Sequence, residues 1–296
     1  MSLRIDILDT RRDLLGECPL WDHREQALYW IDSKARLVRR LKGETLGEYT
    51  EWATPSDVGS IALTQRGRLV LSLEDGFHLL DLQSGATRRL AEVQHAGPSM
   101  RLNDGRTDRQ GRFVAGSLVV GRHDRDGAYY RLERDGSATK LFDGIALANA
   151  TCFSPDGRTL YHADSFSDEV SAVDYDTVTG AVGPRRALFN TRAQGSAPDG
   201  TTVDADGNLW VALVQAGKLG CYTPQGKLLR LIDVPTTYPT CPCFGGPDLD
   251  VLYVTSISNS GNLLKSEHPD AGAVFSIRGL GVRGLPEVLF GDEAIT

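Results

Sequence analysis

Three oxygen-bearing side chains that lie far apart along the chain, Glu17, Asn149 and Asp199, form its candidate chemical centre. Two carboxylates and one amide oxygen make a hard ligand set, which suits Ca²⁺, Mg²⁺ or Mn²⁺. Three protein ligands leave coordination positions for water and a substrate, as catalytic metal sites do. These side chains can act together only if the fold brings their segments to one place.

The elements that would position them are repeated β-strands. A polar turn followed by a short apolar strand recurs six times. Its aligned apolar residues are Leu28, Leu69, Phe113, Leu160, Leu209 and Leu252, separated by 41, 44, 47, 49 and 43 residues. A period of about 40–50 residues with β patterning is typical of four-stranded propeller blades, and two stacked β-sandwiches would not explain these spacings. The pattern predicts an all-β, six-bladed β-propeller with four-stranded blades, formed as a single domain over residues 1–296, in which residues 4–8 join the last blade.

A second set of positions keeps the same register. Ten or eleven residues before each aligned position, where the innermost strand of the blade is expected to start, the chain has Glu17, Val58, Asn103, Asn149, Asp199 and Cys241. Because the innermost strands of all blades converge on the central channel, these six side chains should surround one opening. Asp-Gly is also a common turn signal, and Asp156-Gly157 and Asp206-Gly207 are interpreted as hairpin turns. The register favours a shared site for Glu17, Asn149 and Asp199, and no histidine occupies the ring.

Composition narrows the function classes. The net charge is −7 and the pI is about 5.4, which argues against a nucleic-acid partner. No apolar run approaches the roughly 20 residues of a membrane span, and the first ten residues lack a signal-peptide core. Five cysteines without metal-site spacing are interpreted as reduced thiols. We therefore expect a cytoplasmic protein, monomeric or weakly homo-oligomeric, whose partner is a small molecule.

Several motifs along the chain resemble the SMP-30/gluconolactonase/luciferin-regenerating-enzyme family, also called regucalcin-like proteins. They occur in the family's order over nearly the whole chain, and their specificity comes from the combination. The motifs are Leu15-Gly-Glu-Cys-Pro-Leu-Trp21, Arg101-Leu-Asn-Asp-Gly105, Asn149 before Phe153-Ser-Pro-Asp-Gly157, Pro198-Asp-Gly200, and Phe244-Gly-Gly-Pro-Asp-Leu249 with Leu252-Tyr-Val-Thr255.

The resemblance implies a six-bladed propeller with one divalent ion in its channel, held by Glu17, Asn149 and Asp199. It also implies substrate contacts from Arg101 and Asn103. In one place the chain departs from the pattern: many sugar-lactonase relatives have a glutamate soon after the strand that here ends at Leu118, whereas this chain continues Val119-Val-Gly-Arg-His-Asp124. Arg122 or His123 is expected to replace that contact with the sugar.

The implied function is hydrolysis of a sugar lactone, such as a glucono-, galactono- or arabinonolactone, to its free acid. Ca²⁺ is the expected ion, although the ligand set also accepts Mn²⁺, Mg²⁺, Zn²⁺ or Fe²⁺. Asp199 is the candidate general base, and Glu17 could share that role. A metal-dependent esterase or phosphotriesterase on the same scaffold is one alternative. A non-catalytic calcium-binding regulatory propeller is another.

Overall fold

The structure, a computed structural model, describes residues 3–43, 46–261 and 263–295. Within these ranges the chain forms six antiparallel sheets of four strands each. The first three complete blades, in chain order, contain these strands. Blade 1 contains β2 Gly16–Asp22, β3 Ala27–Asp32, β4 Leu37–Lys42 and β5 Glu48–Ala53; blade 2 contains β6 Ser60–Leu63, β7 Leu69–Ser72, β8 Gly76–Leu80 and β9 Thr87–Glu92; blade 3 contains β10 Met100–Thr107, β11 Phe113–Val119, β12 Gly127–Leu132 and β13 Ala138–Ile145.

The remaining three blades complete the ring. Blade 4 contains β14 Ala148–Phe153, β15 Thr159–Asp164, β16 Glu169–Tyr175 and β17 Val182–Asn190; blade 5 contains β18 Pro198–Val203, β19 Leu209–Leu213, β20 Lys218–Tyr222 and β21 Leu228–Asp233; blade 6 contains β22 Pro239–Gly245, β23 Val251–Ser256, β24 Phe275–Arg278 and, from the start of the chain, β1 Arg4–Ile7. The recurring sequence motif is the second strand of every blade, as its spacing predicted.

The ring closes because the two ends of the chain share one blade. Strand β1 pairs antiparallel with β24, with Arg4 opposite Arg278 and Ile7 opposite Phe275. Each innermost strand contacts the innermost strands of the neighbouring blades, including β2 against β22. Pairing both ends into one sheet protects the edges that an open sheet would leave exposed. The predicted six-bladed, all-β architecture is confirmed.

The apolar core lies mainly between the blades. Aromatic side chains join adjacent sheets: Trp21 stacks on Tyr253 at 5.7 Å between blades 1 and 6, and Trp210 meets the edge of Phe244 at 5.8 Å between blades 5 and 6. Such pairs add about 0.5–1.5 kcal/mol to the free energy gained from burial alone. The five cysteines are buried and free, as expected of reduced thiols.

Helical structure is limited to short segments in the described ranges. Two 3₁₀ turns occur, at Ser165–Ser167 and Arg192–Gln194. None of the helices in the described part of the chain has the length and apolar character that a bilayer crossing requires. The candidate site residues Glu17, Asn149 and Asp199 all lie on strands, namely β2, β14 and β18.

Candidate active site

An irregularity shared by the innermost strands places side chains in the channel. In blades 1, 3, 4, 5 and 6 the pairing of the first two strands contains a β-bulge, in which the innermost strand has one extra residue. The bulges fall between Glu17 and Leu20, Leu102 and Gly105, Asn149 and Cys152, Pro198 and Thr201, and Pro239 and Pro242. Strand β6 pairs with β7 without a shift, and its ring position is Val58. A bulge re-aims the local side chains. The polar ring residues Glu17, Asn103, Asn149 and Asp199 all lie at or within one of these bulges.

The backbone beside two of these residues is strained. Cys18, which follows Glu17, has φ of 46°, and Ala150, which follows Asn149, has φ of 56°. Residues other than glycine adopt this left-handed conformation at a cost of about 1–2 kcal/mol. At the third position the chain has Gly200 after Asp199, and a Cβ there would collide with the side chain of Cys241 in blade 6. Strain held by surrounding structure is a feature of functional sites.

The bulges bring the predicted metal and substrate residues to one cavity. It lies at the starts of the innermost strands and encloses about 120 Å³. Its lining includes the residues predicted from register and resemblance: Glu17, Asn149, Asp199, Arg101, Asn103 and Arg122. The last predicted residue, His123, lines an adjoining recess together with Asn149 and Asp199.

Acidic groups on the cavity floor repel one another. Burial raises the pKa of Glu17 well above its usual value, and the nearby Asp199 and Asp104 raise it further. Burial likewise raises the pKa of Asp199, with Asp104 adding to the effect. Among the described residues no lysine, arginine or histidine forms an ion pair of 4.0 Å or less with either carboxylate. The floor therefore holds closely spaced carboxyl groups whose repulsion the nearby Arg101 only partly offsets.

This donor set fits a divalent cation. Buried charges are ordinarily paired or bound to metal, and among the described residues these two carboxylates form no ion pair of 4.0 Å or less. Within the described ranges no three His, Cys, Asp or Glu side chains cluster with metal-binding geometry. The side-chain amide of Asn149 lines the same cavity and offers a third oxygen donor. Oxygen-only donors of this kind are those that hard cations prefer.

Hydrogen bonds fix the Asn149 side chain. Its Nδ2 donates to Ser165 Oγ at 2.9 Å, and Ser165 Oγ donates to the carbonyl oxygen of Pro198 at 2.7 Å. Asn103 Nδ2 donates to Asn149 Oδ1 at 3.0 Å. The Tyr129 hydroxyl donates to the main-chain oxygen of Asn149 at 3.1 Å. The amide is thus held on both sides, with its oxygen turned toward Asn103 and the cavity.

Arg101 and Asn103 present polar groups at the same floor. Asn103 Nδ2 donates to the Ala148 carbonyl oxygen at 2.8 Å and to Asn149 Oδ1 at 3.0 Å, so both of its protons are used and its Oδ1 is left to accept a hydrogen bond. Burial lowers the pKa of Arg101, and Asp57 and Glu17 oppose that effect. Its Nη1 donates to the carbonyl oxygen of Leu102 at 2.9 Å, which leaves other guanidinium N–H groups available, since the group has five. Both residues lie near the start of β10, and both line the cavity.

Two residues near this floor were missed by sequence reasoning. Asp104, one residue after the ring position in β10, accepts a hydrogen bond from the Thr151 main-chain nitrogen at 2.6 Å. Burial raises its pKa to about 6. It lay next to a selected position and could have been found by extending each ring position by one residue. Ser165 lies in a 3₁₀ turn outside the repeat, and no sequence signal marked it.

Comparison with known proteins assigns the family. The sequence model described as the SMP-30/Gluconolactonase/LRE-like region matches residues 15–258. The chain belongs to the SMP-30/gluconolactonase/LRE-like family. Regucalcin from Gallus gallus is 35% identical over 98% of this chain and 99% of its own length. A 6-deoxy-6-sulfogluconolactonase from Pseudomonas putida is 34% identical over 94% of this chain and 95% of its own length.

Solved structures agree with that assignment. A calcium-binding protein from Agrobacterium tumefaciens strain C58, also named regucalcin, superposes with a TM-score of 0.88 at 29% identity, covering 96% of each chain. As a member of the SMP-30/gluconolactonase/LRE-like family, this chain has the propeller that its relatives share. The predicted resemblance is confirmed.

Arg122 and His123 lie at the rim of the candidate cavity and its adjoining recess. Arg122 Nε pairs with Asp124 at 2.6 Å, and the His123 ring stacks on Phe166 with centroids 3.8 Å apart. Both side chains are exposed, unlike Arg101 on the floor. Their contact with a substrate stays a prediction.

Proposed function

We propose that this protein hydrolyses a sugar lactone to the free hydroxy acid with the help of one divalent metal ion. The observation that carries the proposal is the cavity floor, where two carboxylates that form no ion pair and one oriented amide lie beside the side chains of Arg101 and Asn103. Family membership supports lactone chemistry, since a relative that is 34% identical is named as a sulfogluconolactonase. The proposed partner is accordingly a small molecule.

Glu17, Asn149 and Asp199 would hold the ion through their side-chain oxygens. A divalent cation bound there would polarise the lactone carbonyl and stabilise negative charge on its oxygen. Ca²⁺ is the first candidate because all three donors are hard oxygen atoms. The calcium-binding relative from Agrobacterium tumefaciens is consistent with that choice.

The protein's own residues supply the remaining chemistry. Arg101 donates hydrogen bonds to the lactone, and Asn103 Oδ1 accepts one from a lactone hydroxyl, so that together they orient the lactone for attack. Asp199 accepts a proton from the attacking water as the new C–O bond forms at the carbonyl carbon. The ester C–O bond then breaks, and the proton returns to the departing ring oxygen, which becomes the hydroxyl of the product. The atoms of one water molecule and one lactone together make up the hydroxy acid product.

The decisive experiment combines turnover with metal binding. Purified protein is assayed with gluconolactone, galactonolactone and arabinonolactone in the presence of Ca²⁺, Mn²⁺, Mg²⁺, Zn²⁺ or EDTA, with spontaneous hydrolysis subtracted. Asp199→Asn and Glu17→Gln should each lower kcat/KM by at least about a hundredfold and weaken Ca²⁺ binding in calorimetry. Asp206→Asn, which changes an exposed turn residue in the same blade, is the matched control and should leave both values unchanged.

The alternatives give different results in the same assay. Full lactone hydrolysis in EDTA would overturn the metal requirement. Faster turnover of aryl esters or organophosphates would favour an esterase or phosphotriesterase. Tight Ca²⁺ binding without turnover of any lactone would support a regulatory calcium-binding protein instead. The regucalcin relatives give that second candidate its support.

A further inference from the structure

Exposed apolar side chains surround the mouth of the candidate cavity. Val120, Phe166 and Leu263 all line it, and they are 38%, 37% and 57% exposed. They come from three separate parts of the ring: the segment after β11 in blade 3, the 3₁₀ turn after β15 in blade 4, and the connection between β23 and β24 in blade 6. Apolar side chains that converge from three blades on one opening indicate a binding surface.

The wall beneath this rim is also apolar. Leu118 and Val119 continue from Val120 down one side, and Leu147 and Leu264 line the cavity as well. A hydroxyl group placed against such a wall loses its hydrogen bonds to water without gaining others. A methyl or methylene group at the same place gains from being removed from water. The wall therefore discriminates against a fully hydroxylated substrate tail.

Two cations also line the cavity, and each forms an ion pair with an acidic side chain. Lys34 Nζ lies 2.5 Å from Asp57, and Arg122 Nε lies 2.6 Å from Asp124. Arg101 forms no ion pair of 4.0 Å or less among the described residues, and it lies at the floor with Asn103. Polar groups thus converge at the floor, whereas apolar side chains supply most of the mouth.

We propose that the preferred substrate is a lactone whose ring hydroxyls face the floor and whose terminal carbon is deoxygenated, so that a methyl or short alkyl group contacts Val120, Phe166 and Leu263. This inference rests on the proposed lactone hydrolysis and narrows its substrate class. A 6-deoxyhexonolactone has this chemistry. The matched hexonolactone differs from it by one hydroxyl group, and the comparison of the two isolates the contribution of the mouth.

The test compares D-fucono-1,4-lactone with D-galactono-1,4-lactone, which differ only at carbon 6. The deoxy compound should have a kcat/KM at least about tenfold higher, the size of effect that one apolar group produces in a well-fitted pocket. Val120→Asn should reduce that ratio several-fold, mainly by raising the KM of the deoxy lactone. Val178→Asn changes a valine that is 87% exposed and does not line the cavity, and it should leave the ratio unchanged.

The two proposals fail in distinguishable ways. Equal or faster turnover of the galactonolactone would overturn the apolar-substituent inference and leave lactone hydrolysis standing. A ratio that Val120→Asn and Val178→Asn leave equally unchanged would also overturn it. Absence of turnover of both lactones with every metal would overturn the proposed function itself, and the narrower inference with it.

Discussion

At the scale of single residues, a serine hydroxyl fixes the nitrogen side of the Asn149 amide, opposite the side held by Asn103. Ser165 Oγ lies 2.7 Å from the Pro198 carbonyl oxygen, which can only accept a hydrogen bond, so the hydroxyl proton is committed there. Oγ can then only accept from Asn149, and Nδ2 must be the atom that faces it. The amide oxygen is left toward the cavity, as a metal donor requires.

Ser165→Ala should therefore weaken Ca²⁺ binding by about 10-fold or more, the usual cost of losing a partner that orients a metal ligand. Without the hydroxyl, the Asn149 amide keeps only the hydrogen bond from Asn103 Nδ2 and is held on one side. Isothermal titration of the metal-free protein with Ca²⁺ measures the effect directly. Ser165→Thr keeps the hydroxyl and should recover most of the affinity.

Ser171→Ala provides the matched control for this prediction. Ser171 is a buried serine in the same blade that hydrogen-bonds Glu169 and does not contact a candidate ligand. Its replacement should leave Ca²⁺ affinity within twofold of the original. Unchanged affinity in Ser165→Ala would show that the amide is oriented without this hydroxyl.

At the scale of strands, the bulge determines which side chains reach the channel. The bulge in blade 4 places Ala150 at a φ of 56°, between Asn149 and the Thr151 nitrogen that donates to Asp104 at 2.6 Å. Asp104 belongs to the bulge of blade 3, so a hydrogen bond joins two adjacent bulges. The strained segment is held in place by a neighbouring blade as well as by its own strand pairing.

Ala150→Gly should leave the free energy of unfolding within about 1 kcal/mol of the original. Relief of the left-handed strain, about 1–2 kcal/mol, offsets the extra backbone entropy that glycine loses on folding, about 0.5–1 kcal/mol, and the loss of one buried methyl group, about 0.8 kcal/mol. Urea denaturation of the two proteins measures the difference. Ala172→Gly, at a buried position in the regular strand β16, should destabilise the protein by more, and equal destabilisation at both positions would contradict the strain argument.

The parts of the site that repeat with the blades could be predicted from the sequence, and the parts that do not repeat could not. Glu17, Asn149 and Asp199 occupy equivalent positions in three blades. Their spacing of ten or eleven residues before the recurring strand marked them in the sequence. Arg101 has no such register and followed from the family resemblance. Ser165, Phe166 and Leu263 lie in connections whose conformation depends on packing between blades, which sequence spacing does not encode.

At the scale of the whole molecule, the segment after the last strand closes the opposite end of the channel. It crosses the ring from blade 6 to blade 2: the Gly284 nitrogen donates to the Leu249 carbonyl, the Gly291 nitrogen donates to the Gly111 carbonyl of blade 3, and Phe290 forms a bridge with Thr64, which follows β6 in blade 2. The innermost strands run from the candidate site toward this segment. One end of the channel is thus open to substrate, and the other is covered by protein.

An ion pair anchors this segment beneath the candidate site. Glu287 Oε1 lies 2.7 Å from Arg106 Nη1, with the two side chains only 15% and 9% exposed, and Arg106 Nη2 also donates to the Thr201 carbonyl at 3.3 Å. Arg106 is three residues after Asn103 on β10. One member of the ion pair therefore lies on the same strand as the proposed substrate contacts Arg101 and Asn103. Removing one member of such a pair leaves the other charge buried without a partner.

Glu287→Ala should accordingly lower the free energy of unfolding by about 3 kcal/mol, measured by urea denaturation. Glu267→Ala, which removes an exposed partner of Lys265, should change it by less than about 1 kcal/mol. The double variant Arg106→Met with Glu287→Leu removes both charges and should recover part of the loss, because no unpaired ion remains. If Glu287→Ala lowers the free energy of unfolding no more than Glu267→Ala does, then water solvates Arg106 well enough to replace Glu287. In that case the segment is held by its backbone contacts alone.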